Sequence, residues 1–398
     1  MKHKQALLTV LITFLLTGCF FSQENTIKKE IENASYCQQK SDCEVIQSQC
    51  PFGCYLAVNK NESQRIKNLI DNFDSDCTYG CTELNDYDCV ENKCRLIIEQ
   101  PQEKQAKTLH LMAIESLRNN KYLGDDFEIE EQLGNGSNYK QYIVSYQSEG
   151  LKIYGLLTVP TGQRPKNGFP AIIFIHGYIS PQEYSTTGSY PTYQARLARS
   201  GFVTFKPDLR GHGNSEGEPV SAHYSEKYIV DTLYAISYLK NYKDVDPNRI
   251  GFWGHSNGGE IGLRIVVVSP DIKAASFWAG VVGSYKDMLE TYNEKIRFLK
   301  NATSTELVRE NKLPSKNPEF WNKLDPYTYL NDINAPIQLH HGTADSSVPA
   351  ELSIRLKEEL DKQNKKVEYY EYIGDDHNIS KNVNIAFERT IDFYKKNL

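Results

Sequence analysis

Five residues, Gly254-His255-Ser256-Asn257-Gly258, constrain the fold of this chain more than any other feature. They follow Arg249-Ile250-Gly251-Phe252-Trp253, a short apolar run that reads as a buried strand. They lead into Gly258-Gly259-Glu260-Ile261-Gly262-Leu263, where the glycines let a helix pack closely. A G-x-S-x-G at a strand-to-helix junction is the pattern of a nucleophile elbow. The turn is so tight that side chains flanking the serine would collide, which is why glycine stands there. The hydroxyl is then held out at the C-terminal edge of a sheet, over a helix N-terminus that favours developing negative charge. Asp246-Pro247-Asn248-Arg249 is the turn that feeds the strand. A glycine-rich turn with an incidental serine would show the same five residues, so the reading depends on partners elsewhere.

A serine hydroxyl needs a base, and the base needs an orienting acid. In folds built on such an elbow the chain order is Ser, then Asp or Glu, then His, each on a loop after a later strand. Pro336-Ile337-Gln338-Leu339-His340 is an apolar strand opening into His341-Gly342-Thr343-Ala344-Asp345. Val367-Glu368-Tyr369-Tyr370-Glu371-Tyr372 alternates as a strand and ends in Gly374-Asp375-Asp376-His377. The expected triad is therefore Ser256, Asp345 and His377. Rival histidines lie at His176, His212, His255, His340 and His341. His255 cannot turn back on the adjacent serine, and His340 and His341 are expected to line or pack the site. Asp375 and Asp376 are too close in sequence to His377 to reach its Nδ1. Backbone N–H groups should supply the oxyanion hole. Asn257 follows the nucleophile, and Tyr178, with Gly177 as fallback, lies on the His176-Gly177-Tyr178 loop after the strand Ala171–Ile175.

Eight strand-like runs occur at 142–146, 152–159, 171–175, 203–206, 250–253, 274–278, 337–340 and 367–372. Helical stripes fall between the later ones: Ile229/Leu233/Ile236, Leu352/Leu356/Leu360 and Val383/Phe387/Ile391/Tyr394. Strands alternating with helices predict an α/β architecture with an eight-stranded, mostly parallel sheet covered by helices on both faces.

These residues resemble an α/β-hydrolase of the prolyl oligopeptidase type, close to its dipeptidyl-aminopeptidase and acylaminoacyl-peptidase relatives. In order, they are Tyr154-Gly155-Leu156-Leu157-Thr158-Val159-Pro160, the His176-Gly177 loop, Asp208-Leu209-Arg210-Gly211-His212-Gly213-Asn214-Ser215-Glu216-Gly217, Asp246–Gly251, the elbow, and the acid and histidine loops. The resemblance runs from about Tyr142 to the end and implies a serine hydrolase with no cofactor and no metal. Nothing in the sequence is long or repetitive enough for the β-propeller that many members of the family carry. Within the resemblance the Asp208–Gly217 loop is expected to brace neighbouring turns. Residues 281–335 exceed an ordinary crossover. Their aromatics, Tyr285, Tyr292, Phe298, Phe320 and Trp321 with Met288, read as packing, or alternatively as a small cap over Ser256.

The first 19 residues have a different character. Lys2 and Lys4 precede an apolar run, Ala6–Leu16, too short to span a bilayer as a mature helix. Leu16-Thr17-Gly18-Cys19 then resembles a bacterial lipobox in which Cys19 is lipidated and becomes the first residue, with an ordinary secretory signal as the alternative. Cleavage removes two lysines and no acid, moving formal charge from −6 to −8. That balance argues against nucleic acid as a partner. Residues 20–35 read as a polar tether in the cell envelope.

The other eight cysteines are Cys37, Cys43, Cys50, Cys54, Cys77, Cys81, Cys89 and Cys94, within a module over 36–98. An even, dense set in an exported segment reads as four disulfides, with 105 possible pairings. The C-x₃-C units Cys50/Cys54 and Cys77/Cys81 keep a zinc site as the competing reading. Residues 99–140 read as a linker, with Leu109, Met112, Ile114 and Leu117 forming a short helix, and 141–398 as the catalytic domain. The expected function is a membrane-anchored serine peptidase acting on peptide substrates. A carboxylesterase acting on small or carbohydrate esters is the alternative, and a non-catalytic surface binding protein the remote one.

Overall fold

The computed structural model describes residues 23–75, 84, 86–97, 109–296 and 305–398. Cys19 with the rest of the signal segment, Cys77, Cys81 and Phe298 lie outside the described residues. The chain divides into two compact units, Met1–Thr108 and Leu109–Leu398. The boundary falls inside the stretch read as a linker, because from Leu109 onward the chain takes part in the larger unit's own core.

In the larger unit nine strands form one sheet. They are β1 (Glu128–Gln132), β2 (Tyr139–Ser148), β3 (Leu151–Pro160), β4 (Phe169–Ile175), β5 (Val203–Pro207), β6 (Val245–His255), β7 (Ile272–Trp278), β8 (Ile337–Gly342) and β9 (Val367–Tyr372). Their order is β9-β8-β7-β6-β4-β5-β3-β2-β1. All pairs from β5 to β9 are parallel, and β1, β2 and β3 join antiparallel to one another and to β5. The eight expected strands are all present. The ninth, β1, is an edge strand whose residues are all exposed, so it carries no buried face for a sequence pattern to show.

Helices cover both faces, and the strands show why. Along β4, Ala171, Ile173 and Ile175 enter one core cluster while Ile172 and Phe174 enter another. Phe252 and Trp253 of β6 divide in the same way. Side chains of period two thus demand an apolar partner on either side, which is why these strands read as continuous apolar runs. The first face takes α1 (Ile114–Asn119), α3 (Lys227–Asn241), α4 (Asn257–Val268) and α7 (Glu351–Lys362), with Ile229, Leu233, Ile236, Leu352, Leu356 and Leu360 buried. The second takes α2 (Pro191–Arg199) and α8 (Val383–Asn397), through Leu197, Phe387, Phe393 and Tyr394. There Phe174 stacks on Trp253 with centroids 4.1 Å apart. Burying each such ring contributes roughly 1.5–3 kcal/mol.

Met112, Ile114 and Leu117 are fully buried in the first cluster, but the helix α1 starts only at Ile114. Leu109 and Met112 precede it and Leu109 is exposed, so the expected short helix is shorter than read and belongs to this unit. In the 281–335 stretch, Tyr285, Met288 and Trp321 are buried in the same cluster, and Tyr292 and Phe320 pack against it. Two short helices, α5 (Glu306–Asn311) and α6 (Pro318–Leu324), lie in this stretch.

The smaller unit is built differently. A helix over 23–33 and the helix Ser63–Asp71 pack with the hairpin Cys43–Gln47/Tyr55–Asn59 around Ile27, Ile46, Phe52, Val58, Ile66 and Ile70. The described part of the stretch read as a polar tether is therefore instead an amphipathic helix that buries Ile27 in this module's core. A second hairpin, Asp86–Val90/Lys93–Ile97, turns through Glu91 and Asn92, both at positive φ (53° and 62°). Two-residue hairpin loops take that conformation because its twist matches the strands. Cys37 is bonded to Cys89 and Cys43 to Cys94, and Cys50 and Cys54 are also in disulfides. The six described cysteines are therefore cystines rather than metal thiolates.

Candidate active site

The three expected triad residues lie at the C-terminal ends of three parallel strands: Ser256 after β6, Asp345 after β8 and His377 after β9. That edge is where open parallel sheets place their chemistry. Ser256 sits at φ 53°, ψ −115°, a region a non-glycine residue enters at about 1–3 kcal/mol. Its backbone is over-determined. Its N–H donates to Trp278 O at 2.9 Å, and its carbonyl accepts from Gly259 N at 2.9 Å and Val281 N at 3.0 Å. The flanking glycines are required by contact: a Cβ on Gly254 would lie 2.4 Å from Gly258 O, and one on Gly258 would lie 2.3 Å from Ile175 O.

Asp345 Oδ2 lies 2.7 Å from His377 Nδ1. A carboxylate only accepts, so Nδ1 carries the proton and the lone pair resides on Nε2. Asp345 is held from every side. Its Oδ1 accepts from the Ser347 and Val348 amides at 2.8 and 2.9 Å, and its Oδ2 also meets His341 Nε2 at 3.1 Å. Burial opposes its charge. The hydrogen bonds from His341, His377 and Val348 more than offset that and hold the carboxyl well below the usual range. The carboxylate therefore stays ionised wherever an imidazole base can work.

His341 does more than line the site. Its Nε2 faces two acceptors, Asp345 Oδ2 and Val348 O, so it is the protonated nitrogen, and Nδ1 accepts from Ser353 Oγ at 2.7 Å. His340 packs beneath the second face, between Tyr372 Oη and Gln338 Oε1, each at 2.7 Å. Burial holds His176, His255 and His340 down to about 3, so all three rings are neutral. Asp375 and Asp376 serve their own turn: Asp375 accepts from the Lys381 and Asn382 amides, and Asp376 from those of Asn378 and Ser380. They shape the loop that carries His377.

Of the oxyanion candidates, Asn257 is the first residue of α4, so its N–H has no acceptor within the helix. The Gly177 N–H donates to Tyr190 Oη at 3.2 Å. The Tyr178 N–H has no hydrogen-bond partner among the described residues, and its side chain is exposed. Tyr178 thus has a free amide on this loop where the fallback's is taken.

The Asp208–Gly217 loop is committed to the fold. Asp208 accepts from Tyr184 Oη and Thr186 Oγ1, at 2.7 and 2.5 Å. Buried Arg210 pairs with buried Asp231 at 2.6 Å and with Glu149 at 2.9 Å. Behind the elbow, one turn along α4, lies a network that no local pattern announces. Glu260 pairs with Arg264 at 2.7 Å and with His223, Arg264 reaches Tyr285 Oη at 2.5 Å, and Tyr285 N donates to Asp325 Oδ2 at 2.9 Å. It joins the nucleophile helix to the 281–335 stretch. Burial raises the Asp325 carboxyl to about 6 despite the Tyr327 and Tyr285 amides that it accepts from.

The profile of the prolyl oligopeptidase family matches residues 189–398, just over half of the chain. A Bacillus subtilis relative described as an uncharacterized peptidase, YtmA, is 30% identical over 261 residues, covering 64% of this chain and 93% of its own. Among solved structures, an acetyl xylan esterase from Paenibacillus superposes with TM-score 0.57 at 19% identity, covering 72% of this chain and 92% of that one. The acylaminoacyl peptidase of Pyrococcus horikoshii gives TM-score 0.52 at 19% identity, covering 66% of this chain and 42% of that one. At such identities the two structures share the fold and nothing finer.

Proposed function

The chain belongs to the prolyl oligopeptidase family and is a serine hydrolase, and from that premise we propose that it is a peptidase working through an acyl-enzyme on Ser256. The observation that carries the reading is the 2.7 Å contact of Asp345 Oδ2 with His377 Nδ1, on loops flanking a strained serine. Ser256 Oγ attacks the acyl carbon while His377 Nε2 takes its proton. Asp345 holds the ring in the Nδ1–H tautomer and stabilises the imidazolium. The Asn257 and Tyr178 amides receive the oxyanion, each worth about 10²–10³ in turnover. His377 returns the proton to the leaving amine, and water, activated by the same ring, then releases the acyl group. The likeness over 64% of this chain to a relative named as an uncharacterized peptidase supports amide over ester substrates.

The same reading includes export. Lys2, Lys4, the apolar run and Leu16-Thr17-Gly18-Cys19 support cleavage before Cys19 and lipid anchoring of the enzyme in a bacterial cell envelope. Palmitate incorporation that disappears in Cys19→Ala is the expected result.

For the chemistry, protein lacking residues 1–19 is compared with its Ser256→Ala variant on peptidyl p-nitroanilides and p-nitrophenyl esters. Ser256-dependent amide cleavage is expected. Ester cleavage alone would move the enzyme to the carboxylesterases.

A further inference from the structure

We infer that His255 and Tyr190 are positioning residues that lock the oxyanion loop and the loop of the catalytic base to each other through one hydrogen-bonded chain. The inference rests on the assignment of Ser256, His377 and Tyr178 made above.

Three contacts make the chain. The Gly177 N–H reaches Tyr190 Oη at 3.2 Å, Tyr190 Oη lies 2.6 Å from His255 Nδ1, and His255 Nε2 lies 3.0 Å from the carbonyl oxygen of His377. Its polarity is determined throughout. A carbonyl can only accept, so His255 Nε2 carries the ring's proton. A neutral imidazole has one N–H, so Nδ1 must accept, and the Tyr190 hydroxyl must donate to it. The lone pair left on Tyr190 Oη takes the Gly177 N–H. Each of the three hydrogen bonds then has one donor and one acceptor with no conflict of roles. His255 is nearly fully buried, and burial with His377 beside it keeps the ring neutral, so this tautomer persists.

The ends of the chain are what give it a function. Gly177 immediately precedes Tyr178, the proposed oxyanion donor, and the other end grips the backbone of the proposed base itself. Between them stands His255, one residue before the nucleophile, its ring 4.8 Å from the ring of His377. Tyr190 is placed for the task at some cost: it takes φ 58° in the left-handed region, directly before Pro191 opens α2. Its ring packs against Phe174 and Trp253 of the second core, at 5.8 and 6.2 Å. The chain therefore refers both loops to the rigid sheet, and sets how far the oxyanion donor stands from the base. Neither side chain reacts with substrate in this account.

The test uses Tyr190→Phe, His255→Ala, His255→Gln and the double variant Tyr190→Phe/His255→Ala in the full chain. Each is assayed for the second-order rate of labelling by a fluorophosphonate, for kcat and KM on the best substrate, and for Tm. Tyr190→Phe keeps the ring and its packing while removing the hydroxyl. A fall of roughly ten- to a hundredfold in labelling rate and kcat is expected, the scale of a small misplacement of reacting groups. KM should stay within about twofold, because the substrate's remote contacts are untouched. His255→Gln should recover part of the loss in His255→Ala, since its amide N–H restores a donor to the His377 carbonyl. The double variant should cost no more than the worse single one, since either change breaks the same chain. If His255→Ala does not fold, Tyr190→Phe and His255→Gln decide the matter.

Labelling and kcat within about twofold of wild type in Tyr190→Phe would overturn the inference while leaving the site intact, as would losses that simply add. Labelling that survives Ser256→Ala would instead overturn the site, and the inference with it.

Discussion

In the smaller unit, Cys37–Cys89 and Cys43–Cys94 each close a loop of about fifty residues around a handful of buried side chains. The larger unit holds no cysteine between Leu109 and Leu398, and buries dozens of apolar residues on both faces of a nine-stranded sheet. Small modules lose conformational entropy that their cores cannot repay, and covalent links reduce that loss in the unfolded state. The larger unit holds Ser256 in a strained conformation and ties Asp345 to four donors by packing and hydrogen bonds alone, with no cysteine to crosslink it.

The comparison predicts effects of very different sizes. Asp345→Asn removes the acceptor that fixes the His377 tautomer, and should lower kcat by about 10⁴-fold, measured as steady-state turnover. The cystines of the smaller unit should be untouched, which free-thiol titration checks. Next, dithiothreitol should abolish the smaller unit's cooperative melting, since each of the two long-loop cystines is worth about 4 kcal/mol. Hydrolase activity should persist under the same conditions. Loss of activity on reduction would break the comparison, because the larger unit has nothing to reduce.

Glu260→Gln tests what the larger unit pays instead. It leaves Arg264 buried with a neutral partner, and should destabilise that unit by about 3–5 kcal/mol in denaturant melts. The smallest effect is expected at Asn317, whose side chain accepts from the Phe320 N–H at the start of α6. Asn317→Ala should lower stability by about 0.5–1 kcal/mol with kcat unchanged.

What could be read in advance follows from the same contrast. The central parallel strands of the larger unit are buried on both faces and appear in sequence as apolar runs, while the edge strand β9 shows as an alternation. The loops after β6, β8 and β9 each carry their chemical residue within a few positions of the strand end. Ser256, Asp345 and His377 were legible for that reason. Strand β1, Glu128-Ile129-Glu130-Glu131-Gln132, was not, because an edge strand exposed on all five residues carries no apolar alternation. Met112, Ile114 and Leu117 showed as apolar positions of a short helix, but the helix starts only at Ile114, and their place in the core depends on contacts with strands and helices far along the chain. His341 looked like lining because its bond to Asp345 is set by a loop's curvature rather than by spacing. Tyr190 and His255 are separated by 65 residues and meet only through the fold. In the smaller unit the cysteine count was legible and the pairing was not. Only the folded hairpin, which sets Cys89 opposite Cys94, shows how two bridges fasten its two strands.

The central claim is that Ser256 is the nucleophile held by this architecture, and the most direct measurement is peptide mapping by mass spectrometry after fluorophosphonate treatment of the intact protein. A single adduct on Ser256, absent when His377 is replaced by Ala, is the predicted result. An adduct on any other residue, or none on folded protein, would contradict it.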